Sequence, residues 1–224
     1  MTTPVMIMKA LLRSDGARPR VTYYDETLGE RIELSAIALD NWVSKAANLL
    51  IEEYDAGPGT VITLRLPDRH WRTLYWALAI WSVGAAVDLT GSADAEAVIS
   101  TDAADLADGG VLVSLPVLAR RHPGPVPGGA LDEAAEIAGY PDVFVAPTTT
   151  APDDPALITD AETIPVAAVV TAAEPGRILV SESGAAFLRR SLAVLAADGS
   201  VVLVNGADPD TLARRLAEER VDGT

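Results

Sequence analysis

The chain has 224 residues, enough for one large domain or two small ones, and its balance of 49% hydrophobic and 22% charged residues is that of an ordinary globular protein. It has no cysteine and only two histidines, His70 and His122, which excludes disulfides, thiol catalysis, zinc-thiolate sites and histidine-rich metal sites. A formal net charge of −15 leaves no basic stripe to release phosphate counterions, so neither nucleic acid nor an anionic membrane is an expected partner.

In chain order, MTTPVMIMKALLRSD carries a short apolar patch but no basic start and no small-residue cleavage site. It reads as an intracellular start with a short helix, and the expected location is cytoplasmic. VTYY (21–24) and RIEL (31–34) flank DETLGE, whose Gly29 suits a positive-φ turn, so a β-hairpin is expected. Ser35 then caps a helix reaching about Tyr54, with Leu39, Trp42, Val43, Ala46, Leu49 and Leu50 at helical spacing. DAGPG (55–59) stops it, and TVITLRL (60–66) reads as a buried strand. Asp68 is expected to cap a Trp-rich helix that Gly84 ends, before a strand at 85–89. That helix is apolar nearly all round, which marks a buried helix and makes Trp71 and Trp76 core residues. The apolar run 74–89 is broken by Ser82 and Gly84, so it is not read as a membrane span.

Further strands are expected at 97–100, 111–115, 143–147, 166–170, 177–180 and 200–204, with helices near 185–197 and 208–219. Strands alternating with helices imply parallel pairing. The fold class is α/β, an open, largely parallel sheet with helices on both faces. It is organised as one domain over 1–224, with a subdivision into 1–115 and 116–224 as the alternative.

Three groups could carry chemistry. Asp68-Arg69-His70 could supply an acid, a base or an anion contact, but an Asp after a strand-ending proline more often caps a helix. Ser181-Glu182-Ser183-Gly184 resembles a strand-to-helix loop that presents a nucleophile or binds an anion. It lacks the G-x-S-x-G frame and no histidine follows it, so capping by Ser183 or Ser181 is the expected role. The glycine turns at 108–112, 127–129 and 197–199 have neither P-loop nor dinucleotide spacing, and Thr148, Thr149 and Thr150 read as a loop. Only two lysines, Lys9 and Lys45, stand against fifteen arginines, so no mechanism can use a lysine ammonium beyond position 45.

The order of these segments resembles the adenylate-forming enzymes, the superfamily of acyl-CoA synthetases, luciferases and peptide-synthetase adenylation domains. VTYYDETLGERIELSAIALDNWVSKAANLLIEEY (21–54) is similar to their opening segment, and GPGTVITLRLPDRHWRTLYWALAIWSVGAAVDL (57–89) to their first strand–helix–strand run, with Gly59-Thr60 where they have Gly-Asp. EAVIS (96–100) and LRRSLAVLAADGSVVLVNGADPDTLARRLAEERVDGT (188–224) match later segments in the same order. More closely, the chain resembles a short stand-alone bacterial family distantly related to that superfamily. The resemblance implies a truncated version of the large N-terminal domain.

It also implies a Ser/Thr/Gly-rich phosphate loop ending in Pro-Lys after the equivalent of DDPAL (153–157). ITDAETIPVAAVV stands there instead, with neither glycine nor lysine. The adenine and acyl pocket motif, the ribose-binding aspartate and the C-terminal domain with the catalytic lysine would lie past residue 224. No catalytic, metal-binding or nucleotide-binding residue carries over, so no cofactor is expected and ATP or AMP binding is doubted. The leading expectation is a non-catalytic relative that binds a small ligand or a protein partner. The alternatives are a degenerate or partner-completed AMP-forming acyl-CoA ligase and an interaction module pairing through an exposed strand edge, as in a homo-oligomer. Ligands of open α/β sheets sit beyond the carboxyl ends of strands. That rule singles out the loops after 60–66, 111–115, 143–147 and 177–180, and with them Arg65, Asp68, His70, Ser181, Glu182 and Ser183 as candidate ligand contacts.

Overall fold

The computed structural model describes residues 2–91, 94–146 and 148–224. The chain opens with helix α1 (Pro4–Asp15), begun by Thr3, whose hydroxyl accepts the Met6 N–H at 3.3 Å, and by a proline in the first helical turn. Strands β1 (Pro19–Asp25) and β2 (Glu30–Ser35) form the expected hairpin, with Gly29 at φ 66° in its turn. Ser35 Oγ accepts the Ala38 N–H at 3.1 Å and starts α2 (Ala36–Tyr54). There follow β3 (Val61–Arg65), α3 (Trp71–Val83), β4 (Ala86–Asp88), β5 (Ala97–Ser100), β6 (Gly110–Leu112), β7 (Ala130–Asp132) and the one-turn α4 (Glu133–Glu136). The last part holds β8 (Pro155–Ile158), β9 (Thr163–Pro165), the one-turn α5 (Val166–Val169), β10 (Arg177–Leu179), α6 (Gly184–Ala196), β11 (Ser200–Asn205) and α7 (Pro209–Glu218). Among the described residues no helix is long and apolar enough to cross a membrane.

The residues gather into two compact units, neither of them a continuous stretch. One comprises Met1–Asp40, Asp68–Leu74 and Val170–Thr224; the other comprises Asn41–Pro67 and Tyr75–Val169. The first is built on a four-stranded sheet ordered β10-β11-β1-β2, parallel except for the β1–β2 hairpin. Val21, Tyr23, Ile178, Val201 and Leu203 of this sheet and Phe187, Leu188 and Leu192 of α6 are buried. Arg20 is fully buried, donating to the Asp198 and Gly199 carbonyls (2.6 and 3.2 Å) and to Asp198 Oδ1 (2.6 Å), so β1 holds the turn between α6 and β11. Glu219 receives the Tyr24 hydroxyl and the Arg31 and Arg177 guanidiniums.

The second unit contains a seven-stranded sheet ordered β7-β6-β5-β3-β4-β8-β9, parallel except between β8 and β9. The α/β class and the largely parallel sheet flanked by helices are therefore as expected. The α3 residues of this unit are buried all round, Trp76 at 0% and Trp81 at 5% exposure, and Trp81 Nε1 donates to the Ala156 carbonyl at 2.7 Å. Trp71, in the first unit, is equally buried, so the core reading of the tryptophans holds. Gly84 ends α3 at φ 91°, where a side chain is both strained and crowded, since a Cβ would lie 2.8 Å from Thr150 Cγ2.

Four local readings are corrected. Asp68 does not cap α3: Arg69 takes a left-handed conformation (φ 55°), and His70 becomes the residue before the helix, its Nδ1 accepting the Arg72 N–H at 3.1 Å. Asp68 instead accepts the Gly184 N–H at 2.7 Å, at the start of α6, where Ser183 holds the cap position but its hydroxyl makes no cap bond. Residues 143–146 form no strand, because Asn48 Nδ2 bonds the carbonyls of Pro141 and Val143 (2.9 and 3.1 Å) and ties this stretch to α2; Pro147 lies outside the described residues. Residues 166–169 are the helical turn α5, closed by Val166 and Ala167 N–H groups donating to the carbonyls of Asp154 and Pro152, both at 2.9 Å.

Candidate functional site

In the seven-stranded sheet the chain passes from β3 to β4 on one side and then to β5 on the other side of β3. The strand order thus reverses between β3 and β5, and the crevice beyond the carboxyl ends there is the usual ligand position in such sheets. Arg65 and Ser100 end these two strands side by side. Arg65 Nη1 bonds Asp105 Oδ1 at 2.5 Å, Ser100 donates to Asp105 Oδ2 at 2.6 Å, and Ser100 Oγ accepts the Asp102 N–H at 3.0 Å. The Ser100 hydrogen bond and the Arg65 charge hold the Asp105 carboxyl below its usual range. Arg65 passes close over Gly91, where a Cβ would lie 2.3 Å from Nη2. Its side chain is 45% exposed, and an exposed pair of this kind contributes only about 0–1 kcal/mol. Arg65 is thus a cation already held by a carboxylate, in a bond weak enough to exchange.

Beside it, beyond the ends of β5 and β6, lies a cavity of about 230 Å³ lined by Thr101, residues 113–116, His122 and Pro123. No Asp, Glu, Lys or Arg is among these residues. Ser114 is 3% exposed and its Oγ has no hydrogen-bond partner among the described residues. The loop that carries His122 is fixed by the His122 N–H donating to Asp132 Oδ2 at 2.8 Å. Ring atom Nδ1 lies 3.1 Å from the Gly124 nitrogen and 3.3 Å from the Gly124 carbonyl oxygen, so the ring is tied to Gly124 in either tautomer. Sequence reasoning pointed to the loop after β6 but missed its side chains. The available signal was a serine at the end of an otherwise apolar run, VLVSL, shortly before one of only two histidines.

The stretch at which the resemblance implies a phosphate loop also belongs to this unit. It is the antiparallel pair β8–β9, closed by Thr159, whose N–H and hydroxyl both donate to the Glu162 carbonyl (3.0 and 2.9 Å) and whose Oγ1 accepts the Glu162 N–H (3.1 Å). Strand pairing and the Thr159–Glu162 bonds engage the backbone on either side of the turn. From residue 123 to residue 176 the chain contains no Lys, Arg or His. Among the described residues no group of three or more His, Asp or Glu side chains is arranged to hold a metal ion.

In the four-stranded unit the structure joins two of the groups singled out from sequence. Arg69 Nη1 donates to the Ser181 carbonyl at 3.1 Å, across 112 residues of chain, and Asp68 bonds Gly184. Glu182 accepts from the Ser181 N–H (3.0 Å) and from Arg190 Nη1 (2.6 Å), which also binds Glu174 through Nη2 (3.0 Å). Thus Asp68, His70, Ser181, Glu182 and Ser183 share one unit, whereas Arg65 belongs to the other. His70 is 3% exposed, with its ring 4.6 Å from that of Tyr23 and 6.0 Å from that of Trp71. Burial, and secondarily the Arg72 charge, pulls its pKa down to about 3, with Asp25 opposing weakly. A neutral imidazole committed to a helix N–H is a structural acceptor, so His70 does not change protonation state near neutrality.

A search of family models returned no match. A Mycobacterium tuberculosis protein described as a TIGR03089 family protein is 35% identical over 245 residues, covering 99% of this chain and 98% of that one. The chain belongs to the TIGR03089 family. Among solved structures, this TIGR03089 member is similar to an acyl-CoA synthetase from Brucella canis (TM-score 0.75, 15% identity, 98% of this chain and 46% of that one). It is also similar to a coronafacic acid ligase from Pectobacterium brasiliense (0.69, 14%, 100% and 50%) and to the N-terminal subdomain of Klebsiella oxytoca NpsA (0.65, 15%, 97% and 59%). At these identities the likeness establishes the fold, that of the N-terminal domain of adenylate-forming enzymes. The TIGR03089 chain spans roughly half the length of these solved structures.

Proposed function

We propose that this TIGR03089 member is a non-adenylating relative of the adenylate-forming enzymes that binds a small ligand. The observation that carries this reading is the β8–β9 hairpin at the position of the expected phosphate loop. Adenylation develops charge on a triphosphate and needs backbone donors, a cation and magnesium directed at it. The hairpin offers the carboxylates of Asp154, Asp160 and Glu162, in a stretch without a basic residue. A phosphate approaching it meets like charge and no cation. On this reading neither ATP nor AMP is a cofactor.

ATP–pyrophosphate exchange with purified protein, magnesium and a panel of carboxylic acids tests the reading. The expected result is no exchange above the protein-free control, and exchange with any acid refutes it. The fold likeness to acyl-CoA synthetases favours a second reading, a ligase completed by a partner subunit. Calorimetry tests whether this chain itself binds nucleotide: heat of binding at millimolar ATP or AMP supports the second reading, and none is expected under the first.

A further inference from the structure

We propose that the outer edge of β2 is a self-association site, and that its partner is β2 of a second copy of this chain, paired antiparallel about a two-fold axis at Ile32. Such a dimer stands or falls independently of the small-ligand reading.

The two edges of the four-stranded sheet are finished differently. Along β10 the edge is covered by the chain itself: the Asp222 N–H donates to the Arg177 carbonyl at 2.7 Å, and the Leu179 N–H to the Gly223 carbonyl at 3.0 Å. At the opposite edge, among the described residues, β2 pairs only with β1. An open edge is a template for another strand unless lysine, proline or an outward bulge blunts it. β2 contains neither lysine nor proline, and the irregularity in its pairing lies between Pro19 and Val21 of β1.

The start of α2 shows which way the β2 amides point. The Ala36 N–H donates to the Arg18 carbonyl at 3.2 Å, back toward β1. Strand amides alternate in direction, so those of Leu34 and Ile32 also face β1, and those of Arg31 and Glu33 face outward.

An antiparallel copy could meet this edge in several registers, and charge selects one. Centring the pair on Ile32 sets each Arg31 opposite Glu33 of the other copy, in the kind of pair that exchanges two backbone hydrogen bonds. Centring it on Arg31 or on Glu33 sets like charges face to face, which destabilises a strand pair. Both side chains are accessible, 46% and 36% exposed, and both have capacity left. Arg31 bonds the Tyr24 hydroxyl through Nε, and Glu33 Oε2 and Glu219 through Nη2. Its Nη1 and the Oε1 of Glu33 have no partner among the described residues. The ends of the strand fit the same arrangement. Leu28, just before β2, and Ile37, just after it, are large hydrophobic residues left 61% and 52% exposed. Pairing about Ile32 brings the Leu28 end of each strand beside the Ile37 end of the other, where apolar surface gains by being covered.

Sedimentation velocity of the full chain from about 10 µM to about 1 mM tests the dimer, in about 150 mM salt to screen the net charge of −15. The expected result is a monomer–dimer equilibrium with Kd on the order of 0.1 mM, as befits a small interface. Glu33→Lys sets like charges opposite each other and is expected to weaken the dimer at least about ten-fold. Glu33→Pro removes an N–H that faces away from β1, and is expected to leave a monomer with an unchanged circular dichroism spectrum. The chain has no cysteine, so Ile32→Cys reads the register. Residues opposite each other in a non-hydrogen-bonded pair lie about 4.5 Å apart at Cα, within disulfide reach. With diamide as oxidant, Ile32→Cys is expected to cross-link into a dimer, and adding Glu33→Lys to slow the cross-link about ten-fold. A monomer at about 1 mM overturns the proposal. A dimer with the same Kd in Glu33→Lys, or one that persists in folded Glu33→Pro, places the contact elsewhere and also overturns it. Cross-linking that is absent, or as fast with Glu33→Lys as without it, has the same consequence.

Discussion

Acidification should weaken the four-stranded unit through His70. The imidazole is buried and neutral, with a folded pKa of about 3 against an ordinary value near 6.5. A depressed histidine pKa means that the unfolded chain binds the proton first. Stability is therefore full above pH 6.5 and falls as pH drops from there toward 3. Each pH unit in that window costs about 1.4 kcal/mol, so lowering pH from 7 to 5 removes roughly 2 kcal/mol through this one group. The carboxyls of Asp25 and Glu219 are held low by hydrogen bonds that oppose their desolvation, and they also lose stability in acid. Their unfolded values near 4 place most of that loss below pH 5. Urea unfolding of the wild type and of His70→Asn at pH 7 and pH 5 isolates the histidine. The asparagine amide oxygen retains an acceptor for the Arg72 N–H, as asparagine does at helix starts generally. The wild type should lose about 2 kcal/mol more than the variant over this interval. Equal losses, or a His70 imidazole that titrates between pH 6 and 7 in ¹⁵N spectra of the folded protein, would refute the assignment of His70 as a buried neutral cap.

Two further outcomes test the local accounts. Asp68→Ala should destabilise the protein by about 1 kcal/mol, the usual cost of losing a helix cap, while Ser183→Ala stays within about 0.5 kcal/mol. Denaturant midpoints at constant slope read both, and the reverse ranking would return the capping role to Ser183. Gly84→Ala should cost more than 1 kcal/mol, because it combines left-handed strain with a Cβ set 2.8 Å from Thr150 Cγ2 and 3.0 Å from Pro58 Cγ. A thermal midpoint equal to that of the wild type would contradict the crowding at that turn.

Elements with a strong period were legible in the sequence. The β1–β2 hairpin, α2 and the Trp-rich α3 all carry either a turn glycine, a cap or an unbroken apolar pattern, and each was placed within a few residues. The three-residue strands β7 and β9 are too short to express a period, and β8 was hidden among prolines and acidic residues. The β-branched run 166–170 favours a strand locally, yet the Asp154 and Pro152 carbonyls draw its first amides into a helical turn. The candidate site divided in the same way. The rule about carboxyl ends pointed to the strand ends beside which the cavity lies, and to Arg65 at the end of β3. That Arg69 would adopt a left-handed conformation and turn Asp68 toward α6 was not readable, since nothing about an arginine announces positive φ. Nor was the partnerless state of Ser114, which depends on what the rest of the unit leaves unfilled.

The non-contiguous make-up of the four-stranded unit constrains how the protein can come into being. Val21 of β1 pairs in parallel with Val201 of β11, and all of Asn41–Pro67 and Tyr75–Val169 is synthesised between those two strands. Emerging from a ribosome, β1 and β2 are made early, but the neighbour that completes their sheet arrives only after the seven-stranded sheet has been fully translated. The long closure that joins β1 to β11 is the entropically slow step, since non-local parallel pairing yields nothing until the loop is closed. The hairpin must meanwhile persist with one side unpaired, and the nascent chain is exposed to wrong pairings for as long as translation of the intervening strands takes.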